Sequence, residues 1–122
     1  MNEAEPTVVV VMSRCLRRGE PFGIRFEASS EGKEWAATWA FDVSEAAGKR
    51  EGYDRQRITG SFVAFEGYPG CPYCKNHGYV KCGKCGRLCC YDGSATRTKC
   101  TWCGYAADVG GIIDDLDSGN DR

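Results

Sequence analysis

The stretch CPYCKNHGYVKCGKCGRLCCYDGSATRTKCTWC, residues 71–103, sets the tightest limit on what this chain can fold into. It holds eight of the nine cysteines and the only histidine, His77, with few aliphatic side chains between them. Such a segment cannot bury enough apolar surface to fold unaided, so something must staple it. Three C-x-x-C couplets supply the means: Cys71–Cys74, Cys82–Cys85 and Cys100–Cys103. From a tight turn both sulfurs of a couplet reach one ion, and a glycine just after the second cysteine lets the turn close with positive φ. Gly86 and Gly104 stand in that place. One couplet is a weak signal; three so close together point to metal.

The segment GRLCCYDGSATRTK, between the second and third couplets, is predicted to form a β-hairpin turning at Asp92–Gly93. A knuckle at each end would make it a zinc ribbon. The Cys71/Cys74 couplet needs two further ligands, and Cys89, Cys90 and His77 are available. Adjacent residues of a strand face opposite ways, so Cys89 and Cys90 should not both reach one ion. Either the backbone bulges there, or each serves a different site, or His77 replaces one of them. His77 itself, in KNHGY, reads slightly better as an exposed loop residue. Cys15, far away in SRCLRR, is expected to be a small buried hydrophobe. The favoured reading is eight cysteines around two zinc ions, with iron the less favoured occupant, since similar knuckles also hold single iron ions.

The rest of the chain has different physics. Residues 1–68 contain one cysteine and most of the large apolar side chains. EWAATWAFDV alternates, with Trp35, Ala37, Trp39, Phe41 and Val43 on one face. PFGIRFEAS does the same through Phe22, Ile24, Phe26 and Ala28, while VVVVMSR and ITGSFVAFEGY are rich in β-branched and aromatic residues. These four segments predict a small antiparallel sheet, with a turn at Gly32 in SSEGKE. SEAAGKREGYDRQR is polar and ambiguous: it could hold one helical turn, but Gly48 and Gly52 argue for a long loop. The acidic, Gly-rich tail, residues 107–122, is expected to be flexible, with Ile112, Ile113 and Leu116 as its only docking candidates. The expected fold is therefore small and β-rich: an antiparallel subdomain over 1–68 and a binuclear zinc ribbon-like unit over 69–106.

Composition narrows the function. The net charge of −1 gives no bulk field for nucleic acid or membrane, and the apolar run Val8–Met12 is too short to span a bilayer. Asn2, Glu3 and Glu5 stand where a secretory leader would be basic, so a reducing, cytoplasmic setting is expected, where clustered cysteines bind metal rather than pair. A thiol–disulfide oxidoreductase would need its couplet to open a helix in a βαβ pattern, which is absent. The bases Lys75, Lys81, Lys84, Arg87, Arg97 and Lys99 thread the cluster. Four thiolates around a divalent ion leave about two negative charges per site, so these cations offset the centres more readily than they bind nucleic acid. No phosphate-cradling loop occurs, and with one histidine no triad is legible. Closed four-ligand sites also disfavour metal hydrolysis, so no catalytic residue is expected.

The run from FGIRFEA through ATWAF, KREGYD and GSF to GCPYC, KCGKCG, CCYDG and CTWCG resembles the C-terminal metal-binding domain of TerY-type tellurite-resistance proteins, over about residues 8–105. The resemblance implies eight metal ligands: Cys71, Cys74, Cys82, Cys85, Cys89, Cys90, Cys100 and Cys103. It also implies a stress-response setting alongside von Willebrand A domains, phosphatases and kinases. The chain has no D-x-S-x-S motif of its own; the nearest string, Asp42-Val-Ser44-Glu-Ala46, lacks the second serine. The expected function is a non-catalytic zinc-binding module for protein interaction or scaffolding. The alternatives are a thiol redox sensor that releases zinc on oxidation and a nucleic-acid-binding zinc ribbon.

Overall fold

The computed structural model describes residues 8–29, 34–53, 55–91, 93–94, 96–110 and 113–120. The turn expected at Gly32, Asp92 of the expected hairpin and Ile112 lie outside these.

Three long strands make the centre: β1 (Val8–Arg14), β2 (Pro21–Ala28) and β3 (Glu34–Asp42), joined as an antiparallel meander. Their inward side chains include Val9, Val11, Phe22, Ile24, Phe26, Trp35 and Ala37, all buried. Each large apolar side chain so buried is worth about 1.5–3 kcal/mol, which accounts for the central role of this meander. The alternation predicted for β3 holds at Trp35 and Ala37 and then inverts. The β2–β3 register shifts between Arg25 and Phe26: Arg25 faces Trp39 while Phe26 faces Ala37, leaving Thr38 as the extra residue of a bulge. One inserted residue exchanges the two faces. Trp39 is therefore turned to solvent, 54% exposed, and Ala40 is turned inward.

The segment expected as a fourth antiparallel strand is two strands broken at Gly60. β4 (Gln56–Thr59) pairs antiparallel with the last strand of the chain, and β5 (Ser61–Ala64) pairs parallel with β3. Between β3 and β4 the expected loop holds a short helix, α1 (Glu45–Glu51). Ser44 caps its start by accepting from the Ala47 N–H, and Gly52, at φ 79°, closes its end. Gly48 is buried against the Met12 sulfur, where a Cβ would collide, so a packing contact accounts for the residue that argued for a loop.

The cysteine-rich segment supplies β6 (Gly78–Lys81), β7 (Leu88–Tyr91), β8 (Arg97–Lys99) and β9 (Ala106–Asp108). The hairpin expected between β7 and β8 is absent among the described residues. Instead β6 pairs with β7 around the second couplet, and β8 pairs with β9 around the third. Each couplet is thus the tip of its own hairpin. The segment is not a separate layer: β7 also pairs parallel with the end of β1, Ser13 opposite Leu88 and Arg14 opposite Cys89. Tyr79 of β6 and Phe62 of β5 both pack edge-on against Phe26, at 5.8 and 5.7 Å between centroids.

The tail expected to be flexible forms β10 (Asp115–Asn120), which lies between β4 and the start of β1. Pairing on both sides replaces the apolar content that the tail lacks, and Lys81 closes an ion pair with Asp115. Gly119 makes this fit possible. A Cβ there would stand 2.2 Å from the Gly52 carbonyl oxygen and 2.7 Å from the Tyr53 Cα, both backbone atoms that cannot swing away. Gly119→Ala is expected to cost about 3 kcal/mol, read as a lowered denaturation midpoint with an unchanged slope. No helix among the described residues is long and apolar enough to cross a membrane.

Candidate metal centres

The cysteines converge on two places. Cys82, Cys85, Cys100 and Cys103 form one quartet, and Cys15, Cys71, Cys74 and Cys90 form the other; within each, all sulfurs lie within 4.8 Å of one another. The close pairs are Cys74–Cys90 at 3.5 Å, and Cys82–Cys103 and Cys85–Cys100 at 3.7 Å. Four thiolates about 2.3 Å from one ion would stand about 3.8 Å apart along each tetrahedron edge, so both quartets fit a tetrahedral metal.

One local turn recurs at four places. At each couplet, the N–H of the first cysteine donates to the carbonyl five residues on, and the residue four on donates back to that cysteine's carbonyl. The pairs are Cys71/Asn76 with Lys75/Cys71, Cys82/Arg87 with Gly86/Cys82, and Cys100/Tyr105 with Gly104/Cys100. The fourth copy is at Cys15, which donates to Glu20 and accepts from Gly19. In every copy the fifth residue is left-handed: Gly19, Lys75, Gly86 and Gly104, with φ from 69° to 84°. Such turns aim backbone N–H groups at sulfur. Lys84 and Cys85 donate to Cys82 Sγ, and Trp102 to Cys100 Sγ.

Lys75 is the one residue in this position with a side chain to strain. A left-handed non-glycine costs about 1–2 kcal/mol, so Lys75→Gly is expected to stabilise the chain by about 1 kcal/mol, a rise of several degrees in Tm.

Cys15 was expected only to fill the core, and it does lie fully buried. What the sequence reading missed is its place in the first quartet, which β-sheet register accounts for. The parallel β1–β7 pairing sets Arg14 beside Cys89, so the next step sets Cys15 beside Cys90 on the same face. Leu16 then donates its N–H to Cys90 Sγ at 3.3 Å. The signal was present in Cys15-Leu-Arg-Arg-Gly19, which repeats the cysteine-to-glycine spacing of CGKCG and CTWCG, with Arg18 where a second cysteine would stand. Cys90 fills that gap from another strand.

Cys89, one of the eight cysteines expected as ligands, points the other way, as alternation along β7 requires. It lies in neither quartet; its sulfur meets Thr101 Oγ1 at 3.4 Å. His77 also lies outside both quartets, exposed and 6.1 Å from the Tyr68 ring. The remaining seven cysteines of that set fall within the quartets.

Two links tie the centres together. Thr101, inside the third couplet, holds Cys89 by its hydroxyl and accepts from Arg14 Nη1 by its carbonyl at 2.9 Å. Trp102 is clasped between the guanidiniums of Arg14 and Arg87, 4.4 and 4.5 Å from its ring centre, and donates to the Leu88 carbonyl. Glu45 of α1 pairs with both arginines.

The electrostatics call for a cation. Burial pushes the Cys71 thiol up to about 11 and raises Cys90 further. At Cys82 burial also opposes ionisation, but the N–H groups of Cys85 and Lys84 and the Cys103 thiol outweigh it, bringing Cys82 down to about 7. Its partner Cys85 rises to about 12, chiefly by burial and by sharing a proton with Cys100 and Cys82. Four close sulfurs thus give up one proton at the expense of the next; all four become thiolates only around a positive ion. The donor set, spacing and turns suit a soft or borderline metal such as zinc.

No curated protein and no solved structure matches this chain. A family model described as the TerY-C metal binding domain does match, over residues 5–121, nearly its whole length. Two four-cysteine clusters on a small β-rich fold agree with that description, and the chain belongs to the TerY-C metal binding domain family.

Proposed function

We propose that this chain is a non-catalytic cytoplasmic module that holds two zinc ions and presents a rigid β surface to a protein partner. The observation that carries the reading is the pair of four-cysteine quartets built on one repeated turn. Closed thiolate tetrahedra leave no open position for a reacting water, and zinc is their common occupant. Iron remains the competing occupant, distinguished by elemental analysis and by the colour of iron–thiolate centres.

The surface on offer lies at the β5 edge. β5 ends the main sheet on one side, and Trp39, Val63 and Phe65 stand exposed on and beside it, at 54, 40 and 58%. Exposed aromatics at a strand edge are material for protein contact. A von Willebrand A domain or a phospho-signalling protein of a metal-stress response is the partner that the resemblance implies. Nucleic acid is a poor fit, because three of the six basic residues of the cluster are engaged by local acids: Lys81 by Asp115, Arg87 by Glu45 and Arg97 by Asp108. Pull-down from cell extract, beside a nucleic-acid titration at physiological salt, tests this. Capture of a specific protein that is lost in Trp39→Ala/Phe65→Ala, with the metal content unchanged, supports the reading. Tight, sequence-selective nucleic-acid binding abolished by Lys84→Glu, Arg87→Glu and Arg97→Glu overturns it.

A thiol redox sensor is the second reading, favoured by the exposure of Cys85 and Cys103. Mild peroxide separates the two. Retained zinc supports the scaffold, and rapid release reversed by a thiol reductant supports the sensor.

A further inference from the structure

The two quartets differ in how much of each faces water. In the first, Cys15, Cys71 and Cys90 are at most 1% exposed and Cys74 is half-buried. They sit within the apolar core beside Phe22, Leu88 and Tyr68, and Tyr73 packs against it. In the second, Cys85 and Cys103 are exposed and only Cys100 is buried. Cys82, Cys85 and Cys100 also line an open groove of about 800 Å³ between the β6–β7 and β8–β9 hairpins.

We infer that the second quartet is a metal-exchange site, reached through this groove by a small thiol that carries carboxylates, whereas the first quartet holds its metal permanently. The inference rests on the metal-binding reading above. The two exposed sulfurs are those that a competing thiol meets first. Cys100 stays anchored, because the residues that follow it are held by the rest of the fold: Thr101 by Arg14, and Trp102 by Leu88, Arg14 and Arg87. Replacement exchanges one thiolate for another. The incoming thiol gives up its proton, the displaced Cys85 or Cys103 sulfur takes one up, and no electrons change hands.

The charge of the groove selects the carboxylate. Three cations line it, and two are already paired: Lys81 with Asp115, and Arg57 with Asp115 and Asp117. Lys84 is exposed, its ammonium 5.9 Å over the Tyr105 ring, with no carboxylate partner among the described residues. Asp108, the acid lining the same groove, is engaged by Arg97. Lys84 is thus the cation left to receive a carboxylate. Among the described residues, none of Cys15, Cys71, Cys74 and Cys90 lines this groove.

The test uses the full chain loaded with two equivalents of zinc, or of cadmium-113 for NMR. Zinc release to a chromophoric chelator is followed with no thiol, with glutathione and with 2-mercaptoethanol. One ion per chain is expected to leave roughly tenfold faster than the other, and glutathione to accelerate that phase. The cadmium signal coupled to the Cys85 and Cys103 β-protons is expected to fade first, which assigns the site without any variant. Lys84→Gln keeps the backbone N–H that serves Cys82 and is expected to weaken the glutathione effect while sparing that of 2-mercaptoethanol. Release of both ions in one phase, or earlier loss of the signal coupled to Cys15 and Cys71, overturns the inference. Equal effects of Lys84→Gln on the two thiols overturn its carboxylate selectivity. A chain that loads fewer than two ions overturns the underlying metal reading, and this inference with it, before any release is measured.

Discussion

A strong chelator is expected to abolish the order of residues 69–106 while leaving the middle of the β1–β3 meander protected. Structural zinc in small thiolate sites contributes an apparent 10–16 kcal/mol or so at neutral pH, about as much as the whole stability of an ordinary domain. The segment has little to set against that loss. Its strands are four residues or shorter, and among the described residues the β8–β9 hairpin pairs with no other strand. The meander is different, because Phe22, Ile24, Phe26 and Trp35 are buried and its own strands pair along most of their length without a ligand residue. Amide exchange read residue by residue should therefore show fast exchange at Tyr79–Tyr91 and Thr98–Ala107 and slow exchange at Val10 and Ile24. The effect should extend to the end of β1, because Ser13 and Arg14 pair with β7. Unchanged protection across the couplets after demetallation would contradict the account.

The second large effect distinguishes Cys15 from Cys89. Both are buried, at 0 and 2% exposure, and as mere core residues both would respond alike to truncation. Losing one buried sulfur and leaving a small void costs about 1–2 kcal/mol. Cys89→Ala is expected to stay near that figure, since Cys89 belongs to neither quartet and its sulfur meets the Thr101 hydroxyl and the neighbouring Cys100 thiol from outside. Cys15→Ala is expected to cost several times more, because it opens the first quartet and leaves Cys71, Cys74 and Cys90 without a fourth partner. The comparison is made by denaturation of the metal-loaded chains at matched free zinc, since mass action moves the midpoint. Similar midpoints for the two variants would reduce Cys15 to a core residue.

How far the sequence revealed this arrangement depended on how local the deciding interaction was. The strands β1, β2 and β3 were legible to within a residue, because alternation and β-branched content are local properties. The face of Trp39 was not, because the bulge at Thr38 belongs to the pairing with β2. The helix α1 was legible only as a possible single turn, because Gly48 and Gly52 were both weighed against it, whereas Gly52 closes its end and Gly48 packs inside it. The tail DLDSGN has no strand character of its own; its neighbours β1 and β4 impose it. The three couplets and the opposed directions of Cys89 and Cys90 were legible from spacing and from the two-residue period. The partner of Cys90 was not, since 74 residues separate Leu16 from it and only the parallel β1–β7 register brings the two segments together. The repeated cysteine-to-glycine spacing at Cys15 is the one local trace of that distant contact.

The central claim is that two four-cysteine centres exist and that Cys15, not Cys89, completes the first. Metal stoichiometry by native mass spectrometry with elemental analysis tests it most directly, on the intact chain and on the Cys15→Ala and Cys89→Ala variants. The account predicts two ions, one ion and two ions respectively. One ion in the intact chain, or two retained by Cys15→Ala while Cys89→Ala keeps only one, would contradict it.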